Sequence, residues 1–562
     1  MKIRISFRFL LLFLMFIFWV FIYPNHILFT EQLSLFLYTS GYWKEFALQP
    51  GGWAAYCGNF LAQFYINRWL GALIQTLLVF VLMVFSNKIL RKAGNRGDLM
   101  SSGILPAMLL WALQCDHRFT PGDALALISP FAFALLYLNM RQVAVRRLVF
   151  TVAMVPIYLF SGATATFCLS VACMLYELLY AKDAWKYSTP AWIIIAVFLP
   201  YGWQSVYLMP KDGLFDVLSF QPVEGVKYLP HILLSLIPLS IIKFKVFFPQ
   251  RKVAAIFIMV TLFALAGCGY YLFSKSYNRL EEQKFGMNLA AAQNNWDQVL
   301  KISQQVSKPD QHTAYYTNLA LSMKGELPQR MFHYSQTDEY GLFLIHKDEF
   351  NLRYGSDFYY HINIMNEAIR WIFDAYILRG KGMDYHTLTR LAAWNKEGGY
   401  KQTAAKYFNI LEGTLMYRSW AKQQRKAPVP QQEKSTVTPV EFYIGGREPV
   451  SDIARHYDNH PQNRMALDYV LCCLLLKNDP ERFLKVFNMY YMPSQGRLPQ
   501  AYQEALLLIA ATGKIDIRNY PIDKINEASF QKFNDLAGRG KKVELKKQFG
   551  NTWWWYYFRR ET

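Results

Sequence analysis

The chain of 562 residues is 53% hydrophobic and only 18% charged, with a net charge of +20, which is apolar for a soluble protein of this length. The surplus is divided: residues 1–274 hold 21 Lys and Arg against 10 Asp and Glu, and residues 275–562 hold 39 against 30. No long basic run is present, so nucleic-acid binding is not expected; attraction to anionic lipid or polysaccharide is at least as good a reading. The seven cysteines form no CxxC or Cys/His spacing, so neither a metal site nor a disulfide framework is expected.

Up to about Ser274 apolar runs follow one another with short charged breaks. A helix needs roughly 20 apolar residues to cross a bilayer. Nine candidate spans are expected, at about 8–28, 69–87, 101–115, 122–140, 148–162, 163–181, 190–208, 229–243 and 253–274. Loops placed in the cytoplasm carry sixteen basic residues, from Lys2, Arg4 and Arg8 through Arg141, Arg146 and Arg147 to Lys252. Loops placed outside carry five: Lys44, Arg68, Arg118, Lys211 and Lys227. By the positive-inside rule this puts the N-terminus in the cytoplasm and the C-terminus outside. The first span reads as uncleaved, because no small-residue cleavage site follows its long apolar run. Leu265-Ala266-Gly267-Cys268 is similar to a bacterial lipobox, but small residues before a Cys are common in membrane helices, and that reading is preferred. Glu177 and Asp123 stand near span ends, and a proton relay or a channel is not favoured.

The outer loop 30–69 holds Glu31, Glu45, many aromatics and the turn-forming Pro50-Gly51-Gly52, a composition that suggests short helices lying in the interface. The next outer loop reads "CDHRFTPGD", with Asp116, His117, Arg118 and Asp123. An acid just after the first span, an aromatic loop and acids in a second outer loop resemble the layout of GT-C glycosyltransferases. That resemblance implies a lipid-phosphate-linked sugar as donor, with Glu31 and Asp116 as the catalytic carboxylates. One of them would be general base toward an acceptor hydroxyl, and His117 and Arg118 would stand near the phosphate. A divalent cation enters only under this implication. Solvated loop charges are the plainer reading of the same residues.

Beyond about 283 the pattern becomes paired helices. Turns are expected at Asn294-Asn295, Gly325, Gly398-Gly399 and Asn478-Asp479-Pro480. From Trp296 to Leu327 is 31 residues, and from Leu327 to Tyr400 is 73, about two units. This resembles tetratricopeptide repeats, whose period is about 34 and whose stacked hairpins present a partner-binding surface. No P-loop, GxSxG, HExxH or dinucleotide GxGxxG is found. His361 reads as a groove or core histidine. Residues 421–442 read as an exposed, helix-poor loop between repeats. The run Trp553–Phe558 demands burial, and capping of the last repeat is preferred to docking on the membrane.

Across most of its length the chain resembles an uncharacterised bacterial family of multi-pass membrane proteins with a tetratricopeptide-like C-terminal half. The segments that carry the likeness are "GGWAAYCGNFLAQFY", "YYTNLALSMKGELPQRMFHYSQ", "NEAIRWIFDAYILRG", "HPQNRMALDYVL" and "LPQAYQEALL". The expectation is therefore all-α: a transmembrane bundle over 1–274 and a periplasmic tetratricopeptide-like solenoid over 275–562. The protein would sit in the bacterial inner membrane and bind a protein or peptide partner on its repeat groove, in envelope assembly or glycan export. The alternative is a GT-C-like transferase acting on a lipid-linked sugar.

Overall fold

The computed structural model describes residues 2–92, 103–217, 226–242, 267–344, 348–379, 382–429, 449–491 and 498–561. Every regular element among them is a helix. The chain divides into two compact units. The first is Met1–Glu282 with Asn409–Lys422, and the second is Gln283–Phe408 with Gln423–Thr562.

In the first unit α1 (Lys2–Ile17) runs into a wide π turn at Phe18–Ile22, and α2 (Pro24–Gln32) leaves it at a bend of 73°. Pro24 lacks an N–H and crowds the preceding turn, so the first apolar run breaks where a straight span was expected. Then come α3 (Ser40–Ala47), α4 (Gly52–Ala62), α5 (Arg68–Lys92), α6 (Ile104–Gln114), α7 (Pro121–Asn139), α8 (Val143–Ser161), α9 (Ala163–Tyr180), α10 (Ala191–Trp203) and α11 (Leu229–Ile241).

The count of nine spans is corrected. Among the described residues four helices, α5, α7, α8 and α9, are long and apolar enough to cross a membrane, or five if the bent pair is one span. Helix α6 has 11 residues, and α10 and α11 have 13 each. These lengths reach only about 17–20 Å against roughly 30 Å of hydrocarbon. An apolar window counts composition and does not register Gly103 before α6, Pro190 before α10 or Pro230 at the start of α11. The ninth expected span falls mostly outside the described residues, as do Leu265 and Ala266; Cys268 is half-buried against the bundle core. Between α8 and α9 the chain turns on Gly162 alone, at φ 81°, a conformation open to glycine.

Three features organise this unit. A stripe on α8 made by Val145, Leu148, Val149, Val152 and Val155 faces outward, with Leu148 66% and Val152 69% exposed. Helix α4 crosses α7 backbone to backbone, since a Cβ on Gly58 would lie 2.1 Å from the Gly122 nitrogen; small residues permit such approach. At the ends of α7, α8 and α9 the buried Glu177 accepts from Tyr137 Oη at 2.7 Å, from Arg146, and from Arg147 Nη2 at 2.6 Å, while Arg147 also reaches Asp183 at 2.7 Å. Arg146 and Arg147, expected in a cytoplasmic loop, lie near the start of α8 and pair with these acids.

The second unit begins with α12 (Arg279–Ala292, from Gln283 onward), followed by α13 (Trp296–Gln304), α14 (Gln311–Met323), α15 (Glu349–His361), α16 (Met365–Arg379), α17 (Tyr385–Glu397) and α18 (Lys401–Glu412, up to Phe408). After α19 (Arg418–Lys426) come α20 (Pro449–Asn459), α21 (Arg464–Leu476), α22 (Pro480–Val486), α23 (Gln500–Ala511), α24 (Lys524–Gly538), α25 (Lys542–Phe549) and α26 (Trp553–Glu561). The turns stand where the sequence placed them. Asn294, Gly325, Gly399 and Asn478 all have positive φ. In each case the following N–H reaches back to a carbonyl five residues earlier, as Asn295 N–H does to Ala290 at 2.9 Å and Asp479 N–H to Leu474 at 3.0 Å. These are Schellman C-caps. Asn295 and Asp479 then cap the next helix through their side chains. Residues 421–426, expected in a helix-poor loop, are helical, and 430–442 fall outside the described residues.

The packing differs from a nearest-neighbour stack, in which contacts join only adjacent repeats. Helix α21 is buried from Ala466 to Leu476. Its Tyr469 lies against Phe343 at 5.8 Å and Phe358 at 4.6 Å. The aromatic terminus returns to the middle of the chain. Trp553 and Trp554 are buried; Trp553 Nε1 donates to the Leu475 carbonyl at 3.0 Å, and Tyr556 packs on Phe332 at 5.4 Å. The run therefore docks on its own unit, around a central helix that an open solenoid would lack.

Candidate functional site

Helix α6 ends at Gln114 and α7 starts at Pro121; the turn between them carries Asp116, His117 and Arg118. The turn is built by its own side chains. Asp116 accepts the Arg118 backbone N–H at 3.0 Å, its Nε at 3.1 Å and its Nη2 at 2.9 Å. Burial pushes the Asp116 carboxyl up, but the Arg118 guanidinium and N–H outweigh it and leave the pKa below the ordinary value. A carboxylate held in this way is ionised and a weak base. Asp123 forms a reciprocal capping box with Thr120, accepting its N–H at 2.9 Å and donating its own N–H to Thr120 Oγ1 at 3.2 Å. Asp123 is thus occupied in starting α7.

His117 joins this turn to two other segments. Its Nδ1 lies 3.4 Å from Glu281 Oε2 and 3.9 Å from Asp116 Oδ1, and its ring meets Phe29 of α2 edge-on at 6.0 Å. Glu282, the last residue of the first unit's main segment, caps α2. Its carboxylate accepts the N–H groups of Asn25 at 2.7 Å and His26 at 3.0 Å. These are donors that a helix N-terminus leaves unsatisfied. Burial pushes the Glu282 carboxyl up to about 8, against the N–H bonds that favour its ionised form. His26 is buried, with its ring stacked on Tyr23 at 4.8 Å.

Glu31 lies at the far end of α2, 2% exposed, and its Oε2 accepts from Tyr417 Oη at 3.1 Å. The structure thus gathers Asp116, His117 and Arg118 into one turn packed against α2, and gives Glu31 a tyrosine from a segment 386 residues away. Glu281, Glu282 and Tyr417 are the residues that sequence reasoning missed; nothing local to them signals a partner so distant. Among the described residues no group of three or more His, Cys, Asp or Glu is placed to hold a metal ion.

The likeness that covers nearly the whole chain is to one family, whose model matches residues 1–560. The chain belongs to the Family of unknown function DUF6057. No curated protein and no solved structure matches it. Membership in DUF6057 carries no activity with it, so any function for this member rests on its own geometry.

Proposed function

We propose that the chain is an integral protein of the bacterial cytoplasmic membrane whose second unit faces the periplasm and binds a protein or peptide partner in envelope assembly or glycan export. The observation that carries this reading is the reversal of surface chemistry between the units. Helix α8 turns valines and a leucine outward, and α10 does the same with Ile194, Phe198 and Tyr201. Contiguous apolar faces of this kind need lipid or protein to cover them. Helix α24 instead buries Phe530, Phe533 and Leu536 and exposes Lys524, Glu527, Lys532 and Asp535, the pattern of a helix in water. Two measurements test the reading. The chain should resist carbonate extraction from membranes, and alkaline phosphatase fused to its C-terminus should be active. Recovery in the soluble fraction, or fluorescence of a C-terminal green fluorescent protein with a silent phosphatase, would sink it.

The GT-C-like transferase, using a lipid-linked sugar at the outer face, keeps one supporting observation: the turn Asp116–Arg118 packs on α2, the helix that carries Glu31 in its last turn. Under this reading Glu31→Gln or Asp116→Asn abolishes transfer while the chain still inserts. Under the first reading both variants keep function.

A further inference from the structure

A cavity of about 340 Å³ opens in the second unit between the end of α13, one face of α14 and the residues that follow the short turn Leu327–Arg330. This is within the range of small-ligand sites, roughly 300–1,000 Å³. Its floor is a chain of buried hydroxyls. Thr317 Oγ1 lies 2.6 Å from the Thr313 carbonyl and 2.6 Å from Ser303 Oγ, and either hydroxyl of the second pair can be the donor. Each hydroxyl can both donate and accept, and both residues line the cavity.

The rim supplies the complementary groups. Tyr334 Oη accepts from Gln304 Nε2 at 3.5 Å and Arg330 Nη2 at 3.4 Å, so its own proton is available to a ligand. His333 has its pKa lowered by burial and by the Arg330 charge. It is therefore a neutral imidazole with one donor and one acceptor. Arg330, the one cation among the described residues of the lining, is paired with Glu326 at 2.5 Å. Among the described residues of the lining, the charged side chain is thus a paired one. Between the polar groups lie the apolar surfaces of Val306, Pro309 and Ala314.

We propose that this cavity binds a neutral saccharide of one or two rings. The reason is chemical matching. Each sugar hydroxyl donates and accepts at once, which suits a wall where donors and acceptors alternate, and the C–H face of a ring suits the apolar patch. A phosphate or carboxylate would meet a guanidinium already neutralised. An extended peptide would need a longer groove with side-chain pockets. The site is independent of the membrane placement and of the Glu31–Asp116 question, and survives the failure of either.

Saturation-transfer NMR on the purified full-length chain tests it, with glucose, galactose, mannose, N-acetylglucosamine and maltose as probes. At least one should show transfer. Tyr334→Phe should weaken that binding about threefold to tenfold, the worth of one hydrogen bond, and His333→Ala by a similar factor, with unchanged melting curves. Ala314→Trp, which fills the apolar patch, should abolish it. Absence of transfer from all five sugars overturns the proposal. So does binding that all three variants leave unchanged, or displacement by inorganic phosphate at equal concentration, which would mark an anion site.

Discussion

Both units bury charge, and they do so in different company. In the first, Glu177 is completely buried and lies under Arg146 and Arg147 at the ends of three helices whose outward faces are apolar. In the second, Arg353 is 1% exposed and pairs with the equally buried Asp384 at 3.0 Å and with Glu349 at 3.0 Å, inside a unit whose helix α24 turns lysines and acids outward. The internal solution is the same in each: a desolvated charge persists where partners satisfy it. The exteriors differ, and under the placement proposed above the surrounding medium is what differs between them. Interior chemistry therefore says little about where a unit resides, whereas the exposed face of a helix says a good deal.

The comparison can be broken from the inside first. Glu177→Ala strands Arg146, leaves Arg147 with Asp183 alone and should cost about 3–5 kcal/mol, as should Asp384→Ala in the second unit. Denaturant unfolding of the purified chain reads both, and a loss confined to one unit would end the symmetry. Trp553→Ala should cost about 3–5 kcal/mol and act on the second unit alone, so limited proteolysis should nick that unit while the first stays intact.

From the outside the contrast sharpens. Val152→Lys, on the outward stripe of α8, should cost about 2.5–3.5 kcal/mol in insertion if that stripe meets lipid. Ile525→Lys, at a site 79% exposed on α24, should stay within about 0.5 kcal/mol. Equal tolerance of the two would refute the difference in medium. Asn478→Ala places a Cβ-bearing residue without a helpful side chain at φ 55° and should cost about 1 kcal/mol, whereas Asn478→Gly should be close to neutral.

The last effect is confined to one pH window. Glu282 has its pKa raised to about 8 in the folded chain. Between the ordinary glutamate range and that value the folded state holds a proton that the unfolded chain has released. Stability contributed at the head of α2 is thus greatest at low pH and falls as pH rises through the window. Glu282→Gln should flatten that slope in melting temperature against pH; a slope identical to the parent chain's would show that Glu282 does not cause it.

What the sequence by itself determined is the part that depends on neighbours along the chain. Helical periodicity marked the class, and Asn294, Gly325, Gly399 and Asn478 marked the turns, because a left-handed residue is chosen by its own φ and the carbonyl five residues before the one that follows it. The aromatic run at 553–558 announced that it would be buried, since that much apolar surface is costly in water. Pro24 is equally visible in the sequence, but the size of its effect, a bend of 73° in the first apolar run, is set by what α2 packs against. Only the tertiary structure decided which apolar runs are long enough to span, that Arg146 and Arg147 are tied to Glu177, and that Glu282 closes the head of α2 from 257 residues away. It alone set Tyr417 on Glu31 and wrapped the second unit around α21. Each of these depends on groups brought together by packing, and between residues so far apart neither spacing nor composition carries information about contact.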